Sequence, residues 1–141
     1  MDVEPGWTIL IITHMFYKII KKERDWGITS YAQACMDILD TYSGSGTIAA
    51  VIQGHTHRDR IASTRTGIPI IISTCDKNQT AESADGFIDI LVNRPDGTIR
   101  EQAFDVMVLN KKARTLTAVR IGCPAMNEET GTETEERTVC Y

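Results

Sequence analysis

"TIAAVIQGHTHRDR", residues 47–60, joins an apolar run to a glycine and two histidines one position apart. The run 47–53 shows no polar alternation, the signature of a strand covered on both faces. A second run of this kind, "WTILIIT" at 7–13, stops at His14. His14, His55 and His57 are the three histidines of the 141-residue chain, so each lies just beyond an expected buried strand.

Between the two runs lies a helix signal. Ser30 can cap it, and Ala32, Cys35, Met36 and Leu39 fall at the i, i+3, i+4, i+7 spacing of one helical face. The glycines of "SGSG", residues 43–46, end it. Strand, helix and strand within about 45 residues make a βαβ unit. The stretch "KIIKKERDWG" before the helix is mixed and basic.

Beyond His57 the pattern changes to short strands: "DRIASTR", "IPIIIST", "GFIDILVN", "TIREQAFDVMVLN" and "RTLTAVRIG". Gly67, the "PDG" of 95–97 and the "NKKA" of 110–113 supply turn chemistry between them. Such short links predict an antiparallel meander. The last stretch, "PAMNEETGTETEERTVCY", lacks apolar periodicity and reads as a flexible acidic tail. The expected division is therefore a folded body over 1–122 and a tail over 123–141.

Charge fits that division. The net charge is −4, and the tail's five Glu and one Arg account for all of it. A nearly neutral body argues against a basic surface for nucleic acid. Hydrophobic residues make up 42% of the chain, enough for a core, and no apolar stretch reaches the length of a membrane span. Cys35, Cys75, Cys123 and Cys140 form no CxxC pair and no disulfide framework, so they read as reduced thiols. The compartment stays open, with the cytoplasm slightly favoured.

In an extended segment His55 and His57 share one side, because strand residues i and i+2 do, and Gly54 permits a tight turn. Parallel strands of a βαβ unit end on one edge of their sheet. His14 and His55 are thus expected to converge there, where open α/β sheets bind ligands. Three imidazoles at one edge suggest a metal site.

Gly54-His55-Thr56-His57 after a strand resembles the GHxH motif of calcineurin-like metallophosphoesterases, and "IITHMFY" resembles that family's upstream strand-then-His motif. The resemblance covers roughly Trp7 to Gly122 and corresponds to the C-terminal half of the family's domain. It implies a fold: an α/β arrangement that is half of an α/β/β/α sandwich, one βαβ unit followed by an antiparallel meander. It also implies ligands. His14 and His55 would bind one metal ion and His57 the other, in a pair of divalent ions (Mn, Fe or Zn) that hydrolyses a phosphate mono- or diester. Arg58 is a candidate contact for substrate phosphate.

The family's Asp-x-His, Gly-Asp and Asn-His segments have no counterpart here. The expectation is a half-site that holds few or no ions alone, has no assigned catalytic acid or base, and is completed by an N-terminal half or a second chain. A partner-dependent half-domain without chemistry is the alternative. "HTHRD" also matches the start of a metallo-β-lactamase motif, with Asp59 as a ligand, but Arg60 stands where its last histidine belongs. Lys18, Lys21, Lys22 and Arg24, and separately Cys75, Asp76 and Asn78, are lesser candidates near the same edge. Trp7 and Trp26 are expected to pack.

Overall fold

The computed structural model describes residues 4–14, 17–20, 25–28, 30–54, 59–74, 94–127 and 130–141; for 17–20, 25–28, 30–32 and 127 it describes the backbone alone. The chain is a mixed α/β structure built mostly of strands, with open sheets and one helix among the described residues.

The βαβ unit is present. Strand β1 (Thr8–Thr13) lies parallel to β4 (Thr47–Gln53), and helix α1 (Ser30–Asp40) falls between them in sequence. The mixed basic stretch forms a two-stranded antiparallel hairpin, β2 (Tyr17–Ile20) and β3 (Asp25–Ile28), inserted between β1 and α1. Strand β6 (Pro69–Ile72) continues the sheet parallel to β4, and β5 (Arg60–Ser63) closes it antiparallel to β6, giving the order β1-β4-β6-β5. The turn from β5 to β6 uses Gly67 at φ 89°, a conformation that favours glycine.

A second sheet has the order β11-β8-β7, all antiparallel: β7 (Ala103–Asn110), β8 (Thr115–Gly122) and β11 (Glu136–Cys140). The expected "NKKA" turn joins β7 to β8, where the Asn110 side chain accepts from the Ala113 amide at 2.9 Å. At the expected "PDG" turn, Gly97 sits at φ 73°. A small hairpin, β9 (Ala125–Asn127) with β10 (Thr132–Thr134), links β8 to β11.

Three layers follow from side-chain alternation. On one face of the first sheet, Ile48, Val51, Ile70 and Ile72 pack against Met36 and Leu39 of α1. On the other, Ala50 and Ile71 pack against Leu116, Ala118 and Val139 of the second sheet. The order is helix, parallel-rich sheet, antiparallel sheet. Ile48 and Val51 share a face although they are three residues apart, because the register slips between Ile9 and Leu10: Ile9 pairs with Ile48, but Leu10 pairs with Ala50. Each fully buried isoleucine contributes roughly 1.5–3 kcal/mol relative to exposure.

Four expectations need correction. Residues 123–141 are not a flexible tail as a whole: β11 pairs with β8 along its length, burying Arg137 and Val139. The alternation was hidden because one of the two inward residues is charged. Strand β1 is not covered on both faces. It is an edge strand among the described residues, and Ile12 is 79% exposed. Cys35 is exposed, because α1 contacts the sheet along the narrower line of Met36 and Leu39. Trp7 is 62% exposed, just ahead of the edge strand, and belongs to neither core cluster of the described residues. The expected strand "GFIDILVN" lies outside the described residues.

Candidate functional site at the carboxyl edge

Strands β1, β4 and β6 all point the same way, so their carboxyl ends line one edge of the sheet. Thr13 pairs with Gln53, and Ile52 and Gln53 pair with Ile71 and Ile72. His14 and Gly54 follow directly. Adjacent strands run about 4.8 Å apart, so the backbones at His14 and Gly54 begin as neighbours. The Ser73 amide donates to the Gln53 carbonyl at 2.9 Å and extends the β4–β6 ladder to this edge. His14 is exposed there.

His55, His57 and Arg58 lie outside the described residues, as do Lys21, Lys22, Arg24, Cys75, Asp76 and Asn78. The backbone of Lys18 belongs to β2 and that of Trp26 to β3. Among the described residues no three His, Cys, Asp or Glu side chains gather as a metal-holding group, and no helix is long and apolar enough to cross a membrane.

A buried charge cluster begins at Asp59, two positions beyond His57. Asp59 is tied to β8, to β11 and to the segment just after β6. Its Oδ1 accepts from the Thr74 amide at 3.1 Å, its Oδ2 accepts from Arg120 Nη1 at 3.1 Å, and Arg137 Nη1 lies 3.3 Å from Oδ1. Arg120 Nη2 also donates to Oδ1. A second carboxylate completes the cluster: Asp105 on β7 accepts from Arg120 Nε at 2.8 Å, from Arg137 Nη2 and from the Ser73 hydroxyl.

Arg120 uses all five of its N–H groups. Two go to Asp59, two to Asp105, and one to the Cys123 carbonyl at 3.1 Å. Only the planar guanidinium fork offers five donors in fixed directions. Arg137 Nη1 donates to the Ile72 carbonyl at 2.8 Å, while its Nε is buried without a hydrogen-bond partner among the described residues.

All four side chains are at most 7% exposed, and their formal charges cancel. Burial pushes the Asp105 carboxyl up, but hydrogen bonding from Arg120 and Ser73 and the charges of both arginines outweigh it and hold the group below the usual carboxylate range. Burial favours loss of the Arg120 proton, and the two aspartates reverse that, so the guanidinium stays charged. Asp59 therefore acts as an anchor between the two sheets. Its oxygens are occupied, which removes it as a metal ligand of the lactamase type.

The sequence reading missed this cluster. A signal for it existed: Ala103, Asp105, Met107 and Leu109 lie at alternate positions, as do Leu116, Ala118 and Arg120. Opposite charges at matching inward positions of neighbouring strands point to a buried pair.

A groove of about 780 Å³ opens beside the cluster, between β5 and the β9–β10–β11 region, lined by Arg60, Ile61, Met126, Glu133, Glu136 and Thr138 among others. His14 does not line it. Compared with known proteins, the chain matches no family model and no curated protein.

Proposed function

We propose that this chain supplies the histidine part of a dinuclear metal centre that hydrolyses a phosphate mono- or diester. His14 and His55 serve one ion and His57 the other, and Arg58 contacts the substrate phosphate. The observation that supports this reading is the in-register parallel pairing of Thr13 with Gln53, which sets His14 beside the start of the Gly54–His57 motif at one sheet edge. The three-layer order of helix, parallel-rich sheet and antiparallel sheet agrees with half of an α/β/β/α sandwich.

Divalent ions bound there would polarise phosphoryl oxygens and generate a nucleophile from water near neutral pH. The chain's own contribution is neutral imidazole, which binds ions without balancing their charge. Two dications ~3.5–4 Å apart repel by ~17–19 kcal/mol at an effective dielectric of ~20. Asp59, the carboxylate next to the motif, is engaged by Arg120, Arg137 and Thr74. In this reading the balancing carboxylates are supplied by an N-terminal half or a second chain, as the resemblance to the phosphoesterase family implies.

A second reading, a partner-dependent half-domain without chemistry, is favoured by the β1 edge. This strand carries no Lys and no Pro to discourage pairing, and its Ile12 is 79% exposed. One experiment separates the two. Metal per chain is measured after dialysis against Mn²⁺ or Zn²⁺, with His14→Ala and His55→Ala beside the unaltered chain. Bound metal that both substitutions remove supports the hydrolase reading, and phosphomonoester and phosphodiester assays follow. Metal-free protein that gains a site only with an added N-terminal half supports a split centre. Protein that binds none under either condition leaves the half-domain.

A further inference from the structure

We infer that the outer face of the second sheet is a self-association surface, on which two copies of this chain meet about a two-fold axis; the inference is independent of the metal-site reading. Strands β7 and β8 alternate between buried and outward residues, so the outward ones share one face. The cross-strand pairs there are Phe104 with Ile121, Val106 with Val119 and Val108 with Thr117. No outward position of β7 or β8 carries a charge, and Glu136 on β11 borders the strip beside Val119. Among the described residues, five of the nine exposed large hydrophobic side chains belong to this surface: Ile99, Phe104, Val106, Val108 and Ile121. Apolar residues gathered in this way mark an interaction site, whereas singly scattered ones do not.

The occupant follows from shape, charge and area. At the Phe104 end lies a hollow of about 280 Å³, lined by Ile99, Glu101, Gln102, Phe104, Ile121 and Gly122 among others. It is smaller than the ~300–1,000 Å³ of small-molecule sites and suits a single side chain. Its acidic member, Glu101, accepts from the Gly97 amide at 2.7 Å. Ile99, itself part of the lining, is 80% exposed. The surface thus offers an apolar knob and a hollow side by side. A two-fold axis inserts each copy's Ile99 into the other's hollow, and an isologous contact of this kind closes at two copies. Charge selects the same occupant. With a net charge of −4, two copies repel overall, but not across an uncharged strip. Nucleic acid gains nothing from such a strip, because its binding needs cationic side chains. Eight residues per strand at ~3.4 Å and three strands at ~4.8 Å give a face of roughly 400 Å². A standard interface buries about 800 Å² per partner, so this association is weak and reversible.

The test is sedimentation velocity of the full chain from about 1 µM to about 1 mM, with Ile99→Lys, Val106→Lys and, as a control on the other sheet, Ile12→Lys. The unaltered chain is expected to rise in mass from one copy toward two and to stop there. Ile99→Lys and Val106→Lys bring like charges together across the axis, and each is expected to weaken association at least about tenfold. Ile12→Lys is expected to leave it unchanged. Ile99 and Ile12 are both largely exposed, so neither lysine threatens folding. Should Val106→Lys fail to fold, Ile99→Lys decides alone. A chain that remains a single copy at every concentration overturns the inference and leaves the face to a different partner. A dimer that survives Ile99→Lys overturns it too, as does one that Ile12→Lys abolishes, which would place the contact at the β1 edge. Growth beyond two copies overturns the two-fold arrangement.

Discussion

Arg120 on β8 and Asp59 lie 61 residues apart in sequence, yet Arg120 grips both carboxylate oxygens of Asp59, with Nη1 donating to Oδ2 at 3.1 Å. Replacing Arg120 with methionine leaves two buried carboxylates to share the single charge of Arg137. Loss of one partner from such a cluster costs about 3–5 kcal/mol. Urea denaturation should show that loss for Arg120→Met. Adding Asp105→Asn should restore part of it, because one fewer uncompensated charge stays buried.

Acid should weaken the same junction. Asp105 titrates lower in the folded chain than in the unfolded one, where its pKa is about 3.9. A depressed carboxylate contributes fully above the unfolded value and loses its contribution as pH falls through the folded value. The urea midpoint should therefore change little from pH 7 to 5 and drop below about pH 4. In Asp105→Asn the drop should be shallower. An unchanged acid slope would show that Asp105 does not report the junction.

The cysteines should separate by reactivity. Cys35 and Cys140 are exposed, whereas Cys123 is 2% exposed. Burial raises the Cys123 thiol's pKa, with the Arg100 and Arg94 charges opposing weakly, so its thiolate is scarce. Iodoacetamide followed by mass spectrometry should find Cys35 and Cys140 modified in native protein and Cys123 only in urea.

Gly122 should tolerate no side chain. It sits at φ 94° at the end of β8, and a Cβ would run into the Gln102 carbonyl oxygen, which accepts from the Cys123 amide at 2.8 Å. The backbone conformation alone costs a non-glycine residue about 1–3 kcal/mol. Gly122→Ala should lower thermal stability accordingly, and Gly67→Ala less, because nothing crowds the Gly67 position.

The β1 edge should be cheap to alter. Ile12→Thr removes a side chain that is 79% exposed and should change folding stability by less than about 0.5 kcal/mol. Ile70→Val deletes a methyl from a fully buried site and should cost about 0.5–1.5 kcal/mol. A large effect at Ile12 would mean that something covers this edge in solution.

Apolar continuity in 47–53 and the Met36–Leu39 face were enough to read the parallel pair and its helix, because those patterns are set by burial on both sides of one sheet. The turns at Gly67, Gly97 and Asn110 were legible from local chemistry. Strand β11 was not, since an arginine at an inward position looks like surface until its partners are known, and those partners, Asp59 and Asp105, are remote in sequence. The edge position of β1 was hidden for a related reason. Strand composition reports that a residue is apolar, while sheet order decides what lies beside it. Of the candidate site, the shared edge of the β1 and β4 carboxyl ends followed from parallel pairing, whereas the anchoring of Asp59 depended on contacts between layers.

The separation between Asp59 and its grip sets an order of events during synthesis. At ~5–20 residues per second, a ribosome adds the residues between Asp59 and Arg120 in roughly 3–12 s. Through that interval β1, α1 and β4 can already pair and pack, while the Asp59 carboxylate must stay in water. Docking of the antiparallel sheet is then a late step, and the nascent chain meanwhile carries the bare apolar face of Ala50 and Ile71. Chaperone capture of that intermediate should depend on how quickly β8 follows.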